Sequence, residues 1–173
     1  EGATDMTNYL LSLGHRRIAI LLGPEFLQSS CDRESGFRAA MHAADVAVDE
    51  SLVTRGDMRF ETGLVLGRQL LRMKQPPTAI FAINDEMAAG VVQAAFRLGL
   101  KIPDDVSVCG FDDSSIAAKI SPPLTTVVSP AHEVGSAAVE LLVDRIERDT
   151  QGASKELATK LVVRESAGPP HGA

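Results

Sequence analysis

Four polar side chains carry most of the chemistry this sequence can offer. Asp112 and Asp113 stand side by side after an apolar run that ends in Gly110-Phe111. Asn84 directly follows another apolar run, residues 78–83, and Arg33 is the only cation between Gly23 and Gly36. Two adjacent carboxylates could share acid–base work, but neighbours on an extended chain face opposite ways. Asp113 reads first as the cap of a short helix over residues 114–119. Asp112 reads as an inward acid that meets a ligand. Asn84 fits two roles equally, a plain N-cap or a cap that also donates to a ligand. Arg33 fits a solvated face, or an ion pair with Asp32 or Glu34, as well as it fits ligand binding. Together, one Arg, one Asn and one Asp form a set of donors and acceptors without a nucleophile. Carboxylate and amide groups bridge adjacent hydroxyls, and a planar guanidinium adds bidentate bonds, so the set suits a sugar or other polyhydroxyl compound. Binding rather than turnover is the expectation, with no catalytic residue assigned.

Other chemistries lack their residues. The sequence holds neither G-x-x-x-x-G-K-[ST] nor G-x-G-x-x-G, the loops that cradle phosphates and dinucleotides. His15, His42, His132 and His171 are scattered, with no i,i+4 pair, so they read as surface or capping residues and no metal is expected. No G-x-S-x-G elbow is present, and nothing in the sequence pairs Cys31 with a histidine. No cofactor is expected. Cys31 and Cys109 lie far apart, which reads as two buried thiols in a reducing compartment rather than a disulfide.

The elements that must position the polar set alternate along the chain. Apolar residues at helical spacing over 6–13 stop at Gly14. The run Ile-Ala-Ile-Leu-Leu at 18–22, closed by Gly23-Pro24, predicts a buried strand. A helix follows over 29–44, capped by Ser29 or Ser30 and burying Phe37, Ala40 and Met41. Then come a short strand at 52–54, a helix at 60–73 stopped by Pro76-Pro77, a strand at 78–83 and a helix at 84–98 ended by Gly99. Strands at 105–111 and 124–128, a long amphipathic helix at 131–148 and a strand at 157–163 complete the pattern. The small, Gly/Pro-rich segment 166–173 reads as a disordered tail. Apolar strands separated by helices predict an α/β fold, a doubly wound parallel sheet with helices on both faces. In such sheets ligands collect where strands end and helices begin. Arg33, Asn84 and Asp112 all follow strand ends.

Composition narrows the class further. With 45% hydrophobic and 23% charged residues over 173 positions, the chain can bury one core. A net charge of -6 and the lack of any run of five Lys/Arg argue against direct DNA contact by this chain. No apolar run approaches the roughly 20 residues of a membrane span, so no membrane partner is expected. The start, Glu1-Gly2-Ala3-Thr4-Asp5, is not a signal peptide, and the missing initiator Met reads as a piece of a longer protein.

At this point the residues match a family. "YLLSLGHRRIAILLGP", "DRESGFRAAM", "PPTAIFAINDEMAAGVVQAAFRLGLKIPDDVSVCGFDDSSIAAKISPPLTTV" and "GSAAVELLVDRI" together resemble the lactose/galactose repressor (LacI/GalR) family over residues 2–164. The I-N-D-E-M-A-x-G and G-F-D-D-x-x-x-A…P-P-L-T-T blocks are specific in combination. The resemblance implies a periplasmic-binding-protein-like effector domain of two α/β subdomains, cytoplasmic and homodimeric. It also implies operator DNA binding through an N-terminal helix-turn-helix that this chain lacks. Residues 1–128 and 155–165 would form the C-terminal subdomain, and the helix at 130–149 would belong to an N-terminal subdomain outside the chain. The family's effector contacts fall on Arg33, Asn84 and Asp112. Met58 stands where the family places an aromatic platform, with Phe60 two positions later, and Ser129 stands at a crossover. Met87, Val91 and Ile120 are implied for the dimer surface, though a core position suits Val91 at least as well. The effector would be a small molecule, a carbohydrate first, with a periplasmic sugar-binding protein of a transport system as the alternative. Burying a Leu or Ile side chain is worth roughly 1.5–3 kcal/mol. The 131–148 helix is therefore expected to pack on a neighbouring copy or to fold back.

Overall fold

The computed structural model describes residues 1–148 and 154–171. In chain order the elements are α1 (Gly2–Ser12), β1 (Ile18–Leu22), α2 (Gln28–Ala43), β2 (Val53–Arg55), α3 (Phe60–Leu71), β3 (Ala79–Ala82), α4 (Asp85–Arg97), β4 (Ser107–Cys109), β5 (Thr126–Val128), α5 (Ala131–Arg148) and β6 (Lys160–Val162). A single 3-10 turn, Glu50–Leu52, leads into β2.

Strands β2-β1-β3-β4 form one parallel sheet in that order. The β1 and β3 strands are buried throughout because helices cover both faces. The chain steps one way from β1 to β2 and the other way from β2 to β3 and β4. Right-handed crossovers then place α2 on one face and α3 with α4 on the other. Contacts agree: α1 packs on α2, and α3 on α4. Gly63 and Gly90 permit the second pairing, since a Cβ on Gly63 would meet the Met87 carbonyl oxygen and one on Gly90 the Phe60 carbonyl oxygen.

Several expectations need correction. First, β5 and β6 do not extend the parallel sheet: they pair antiparallel with each other in a second, two-stranded sheet, Thr126 opposite Val162. Isolated parallel bridges Cys109–Thr125 and Asp112–Val128 join them to the end of β4. Second, α2 has no side-chain cap. Leu27 takes the N-cap position, and the Ser30 hydroxyl instead bonds the N–H and carbonyl of Gly23. Third, residues 115–119 form turns rather than a helix. Asp113 therefore caps nothing, and its carboxylate accepts from Arg164 at 2.7 Å.

Fourth, the segment expected to be a disordered tail is packed as far as Pro170, which lies beside Gly14, residues 172–173 lying outside the described set. Strand β4 lies at the sheet edge with donors and acceptors to satisfy. Val108 N–H donates to the Ser166 carbonyl at 2.8 Å, and the buried Ser166 hydroxyl donates back to the Val108 carbonyl at 2.6 Å. Gly168 continues the contact through the Ser107 hydroxyl, 3.0 Å away.

His15, expected at the surface, is buried between two of these pieces: its ring nitrogens lie 2.9 Å from the Thr78 hydroxyl and 2.9 Å from the Gly168 carbonyl. Of the two thiols, Cys109 is buried and Cys31 only partly so, and both are free. Helix α5 has the expected bounds but does not fold back. Ala137 is buried while Val134, Val139, Leu142, Val143 and Ile146 stay exposed, Ile146 at 75%.

Candidate functional site

The site lies where β1, β3 and β4 end. Their register aligns Leu21 with Ala82 and Phe81 with Cys109, so the loops after them share one rim. Arg33 reaches it from the second turn of α2. Its guanidinium donates to the Ile83 carbonyl and, at 3.0 Å, to Oδ1 of Asp112. The same guanidinium lies 3.8 Å from the centroid of the Phe111 ring, a cation–π contact. Its sequence neighbours are engaged elsewhere: Glu34 with Arg38 and Arg55, and Asp32 with Gln28. The ion pair with Asp32 or Glu34 is therefore not the one built.

Asn84 caps α4 by accepting from Met87 N–H at 3.0 Å, and its Nδ2 donates to the Met58 carbonyl at 2.8 Å. One amide thus starts the helix and straps down the loop that carries Met58. That strap is needed because Met58 has φ 70°, a left-handed conformation uncommon for a side chain of this size. Met58 sulfur fills the space beside Gly23, where a Cβ would stand 2.5 Å from it. Asp112 also lies in the left-handed region, φ 102°, followed by Asp113 at 51°. Its own N–H donates to the Val127 carbonyl at 2.8 Å. The Asp112 side chain is 39% exposed and that of Arg33 15%, so the acid offers the more open edge to solvent.

Arg33, Asn84, Asp112 and Met58 therefore meet at one rim. Ser129 comes close, one residue beyond Val128, the bridge partner of Asp112. Phe60 begins α3, and its carbonyl faces Gly90, so its backbone belongs to the α3–α4 contact. Charges at the rim close in pairs, Arg33 with Asp112 and Arg164 with Asp113. A paired rim favours a neutral, hydrogen-bonding ligand over an ion.

The dimer residues divide. Met87 and Val91 are fully buried against α3, Val91 over Gly67, and offer nothing to a partner. Ile120 is partly buried on the core. Two rim residues escaped the reading from sequence. Phe111 reads from sequence as the end of a strand, yet its ring supports Arg33. Asp85 follows Asn84 and is buried; desolvation pushes its carboxyl above the usual carboxylate range, partly offset by bonds from Thr126 and Ser114. A carboxylate directly after a cap asparagine at a strand end was the available signal.

With the geometry in hand, comparison with known proteins is informative. A family profile described as a periplasmic binding protein-like domain matches residues 7–167. The HTH-type transcriptional repressor CytR of Escherichia coli strain K12 is 39% identical over 165 residues, 95% of this chain and 48% of that protein. A regulatory protein of the LacI family from Chloroflexus aggregans superposes with a TM-score of 0.91 at 36% identity, covering 96% of this chain and 60% of that one. The complex of the transcriptional regulator CelR with cellobiose superposes at 0.90 with 37% identity, covering 96% of this chain and 51% of that one. The chain spans about half the length of the curated relatives it matches. It belongs to the periplasmic binding protein-like domain family, on the branch formed by the effector-binding domains of LacI-family transcriptional regulators.

Proposed function

We propose that this chain is the ligand-holding half of the effector domain of a cytoplasmic, homodimeric transcription regulator. Its operator binding, through a helix-turn-helix outside this chain, is controlled by a neutral polyhydroxyl effector of the carbohydrate class. The observation that carries this reading is the convergence of Arg33, Asn84, Asp112 and Met58 at the strand ends. Arg33 and Asp112 hydrogen-bond ligand hydroxyls, Met58 supplies an apolar flank, Asn84 sets the Met58 loop, and Ser129 approaches from the crossover side. Cellobiose in the CelR complex supports the carbohydrate class.

Residues 1–128 and 155–165 make one subdomain in this reading. The uncovered apolar face of α5 supports its assignment to a second subdomain that completes the cleft. The outer face of α4, where Phe96 is 77% exposed near Ser121 and Pro122, replaces Met87 and Val91 as the dimer surface beside Ile120. The effector acts by binding one arrangement of the two subdomains better than the other; without that difference it shifts nothing.

The test is operator binding by the full-length protein, followed by fluorescence anisotropy at fixed salt with a panel of sugars and nucleobases. One compound should shift operator affinity in the wild type and fail to do so in Asp112→Ala. No operator binding under any condition overturns the reading.

A further inference from the structure

Asp85 does work that the ligand site does not account for. Its side chain is 1% exposed, at the first position of α4. Its two oxygens serve two different parts of the rim. Oδ2 accepts from the Ser114 backbone N–H at 2.6 Å, at the far end of the loop that carries Asp112 and Asp113. Oδ1 accepts from the Thr126 hydroxyl at 2.6 Å, on β5, the strand that runs to Ser129-Pro130 and α5. Gly110 leaves room for the carboxylate, since a Cβ there would collide with Oδ1.

The loop it holds would not rest there unaided. Asp112 and Asp113 are consecutive non-glycine residues with positive φ, a conformation maintained only where surroundings enforce it. Asp113 is anchored to Arg164, and Asp112 to Arg33 and to the Val127 carbonyl. The Asp112 end of the loop meets β5 directly through the Val127 carbonyl; among the described residues, Asp85 joins the Ser114 end of the loop to β5 through one buried side chain.

We infer that Asp85 is a positioning residue that couples the ligand acid Asp112 to the crossover strand β5. A shift of the Asp112 loop on ligand binding is then felt at Thr126 through one carboxylate, and from there toward Ser129 and α5. The ligand and crossover roles rest on the function proposed above; the coupling itself is read independently of them.

The test is hydrogen exchange by mass spectrometry on the full-length protein. The variants are Asp85→Asn, Thr126→Val and Thr126→Ser. Thr126→Val removes one hydroxyl from β5 and touches nothing in the loop directly. Exchange should rise about tenfold both at 126–128 and at 114–116, the loop end whose Ser114 amide is held by Asp85, as loss of a hydrogen bond to a charged group implies. Thr126→Ser, which keeps the hydroxyl, should restore both segments, whereas a purely local packing defect would not be rescued. Asp85→Asn should loosen both segments while α1 and α2 stay protected. Faster exchange at 126–128 alone in Thr126→Val would overturn the coupling and leave Asp85 as two separate anchors. If Asp85→Asn does not fold, the two Thr126 variants decide the matter. Operator binding does not enter this measurement, so failure of the regulator reading and failure of the coupling remain distinct results.

Discussion

At the edge where its strands begin, the parallel sheet is closed by His15, Thr78, Ser107 and the 166–171 segment; at the edge where they end, Arg33, Asn84, Asp112 and Met58 face one another across loops. At the first edge His15, Ser107 and Ser166 are buried and Thr78 half-buried, and they finish on backbone carbonyls and hydroxyls of the chain itself. At the second edge Asn84 is buried beneath the rim, while Arg33 and above all Asp112 keep open surface. Backbone strain is distributed the same way. Among the described residues, three of the four non-glycine residues with positive φ, Met58, Asp112 and Asp113, lie at the second edge, and only Asp45 lies elsewhere. One edge is therefore built for closure, and the other holds side chains in places the backbone would not choose. Strain of that kind collects where a ligand must be met.

The contrast can be broken by substitution at each edge. At the ligand edge, Asp112→Ala should lower effector affinity about 100-fold, because an Arg that has lost its acid partner and a ligand that has lost a charged acceptor act together. The melting temperature of the full-length protein should change little. Calorimetric titration with the compound that shifts operator affinity measures the first quantity, and a thermal scan the second. At the closing edge the pattern should invert. His15→Ala removes a buried ring with two hydrogen-bond partners and leaves the Gly168 carbonyl with the Ser107 hydroxyl alone, a loss of about 2–3 kcal/mol. Urea unfolding should show that loss while effector affinity holds. Equal effects on both readouts from either variant would erase the distinction between the edges.

Smaller changes sharpen it. Ser166→Ala deletes the hydroxyl that accepts from Thr125 N–H at 2.8 Å and donates to Val108. About 1–2 kcal/mol should go, since two buried backbone groups lose their partner. A cost near zero would mean that the segment after β6 lies on the sheet edge without holding it.

The two edges also differed in how legible they were. The ligand edge could be read because it follows a rule of strand order: polar residues after Leu22, after Ile83 and after Phe111 must emerge together if those strands are parallel neighbours. The Asn84 cap and the limits of α5 followed from local pattern alone. The closing edge obeys no such rule. His15 meets Gly168 across 153 positions, and a Gly/Pro-rich segment looks the same whether it is free or lies along a sheet edge. Met87 and Val91 show a related limit. Helical spacing places them on one face of α4, but only Gly63 and Gly67 of α3, which open a groove for that face, reveal that it points inward. The handedness of Asp112 and Asp113 was likewise invisible, because it comes from their partners Arg33, Arg164 and Val127 rather than from their own preference.

Titration offers the finest discrimination, because the buried groups at the two edges respond to pH with opposite sign. Burial lowers the pKa of His15 from its ordinary 6.5. The Gly168 carbonyl can only accept, so Nε2 carries the proton and Nδ1 takes the Thr78 hydroxyl in the neutral ring. Below pH 6.5 the unfolded chain binds a proton that the folded chain resists. Stability from this group is thus complete above pH 6.5 and lost as pH falls through the window beneath it. Burial raises the pKa of Asp85 from its ordinary 3.8. Here the folded chain holds the proton longer, so stability declines as pH rises from 3.8 toward the raised value. Unfolding free energies of the full-length protein, measured by urea titration across pH 4–7, should show both trends. His15→Gln should flatten the slope just below pH 6.5 and leave the acidic limb intact, whereas Asp85→Asn should do the reverse. If His15→Gln left the slope below pH 6.5 unchanged, the ring would not be closing the sheet in its neutral form, and the difference between the two edges would rest on packing alone.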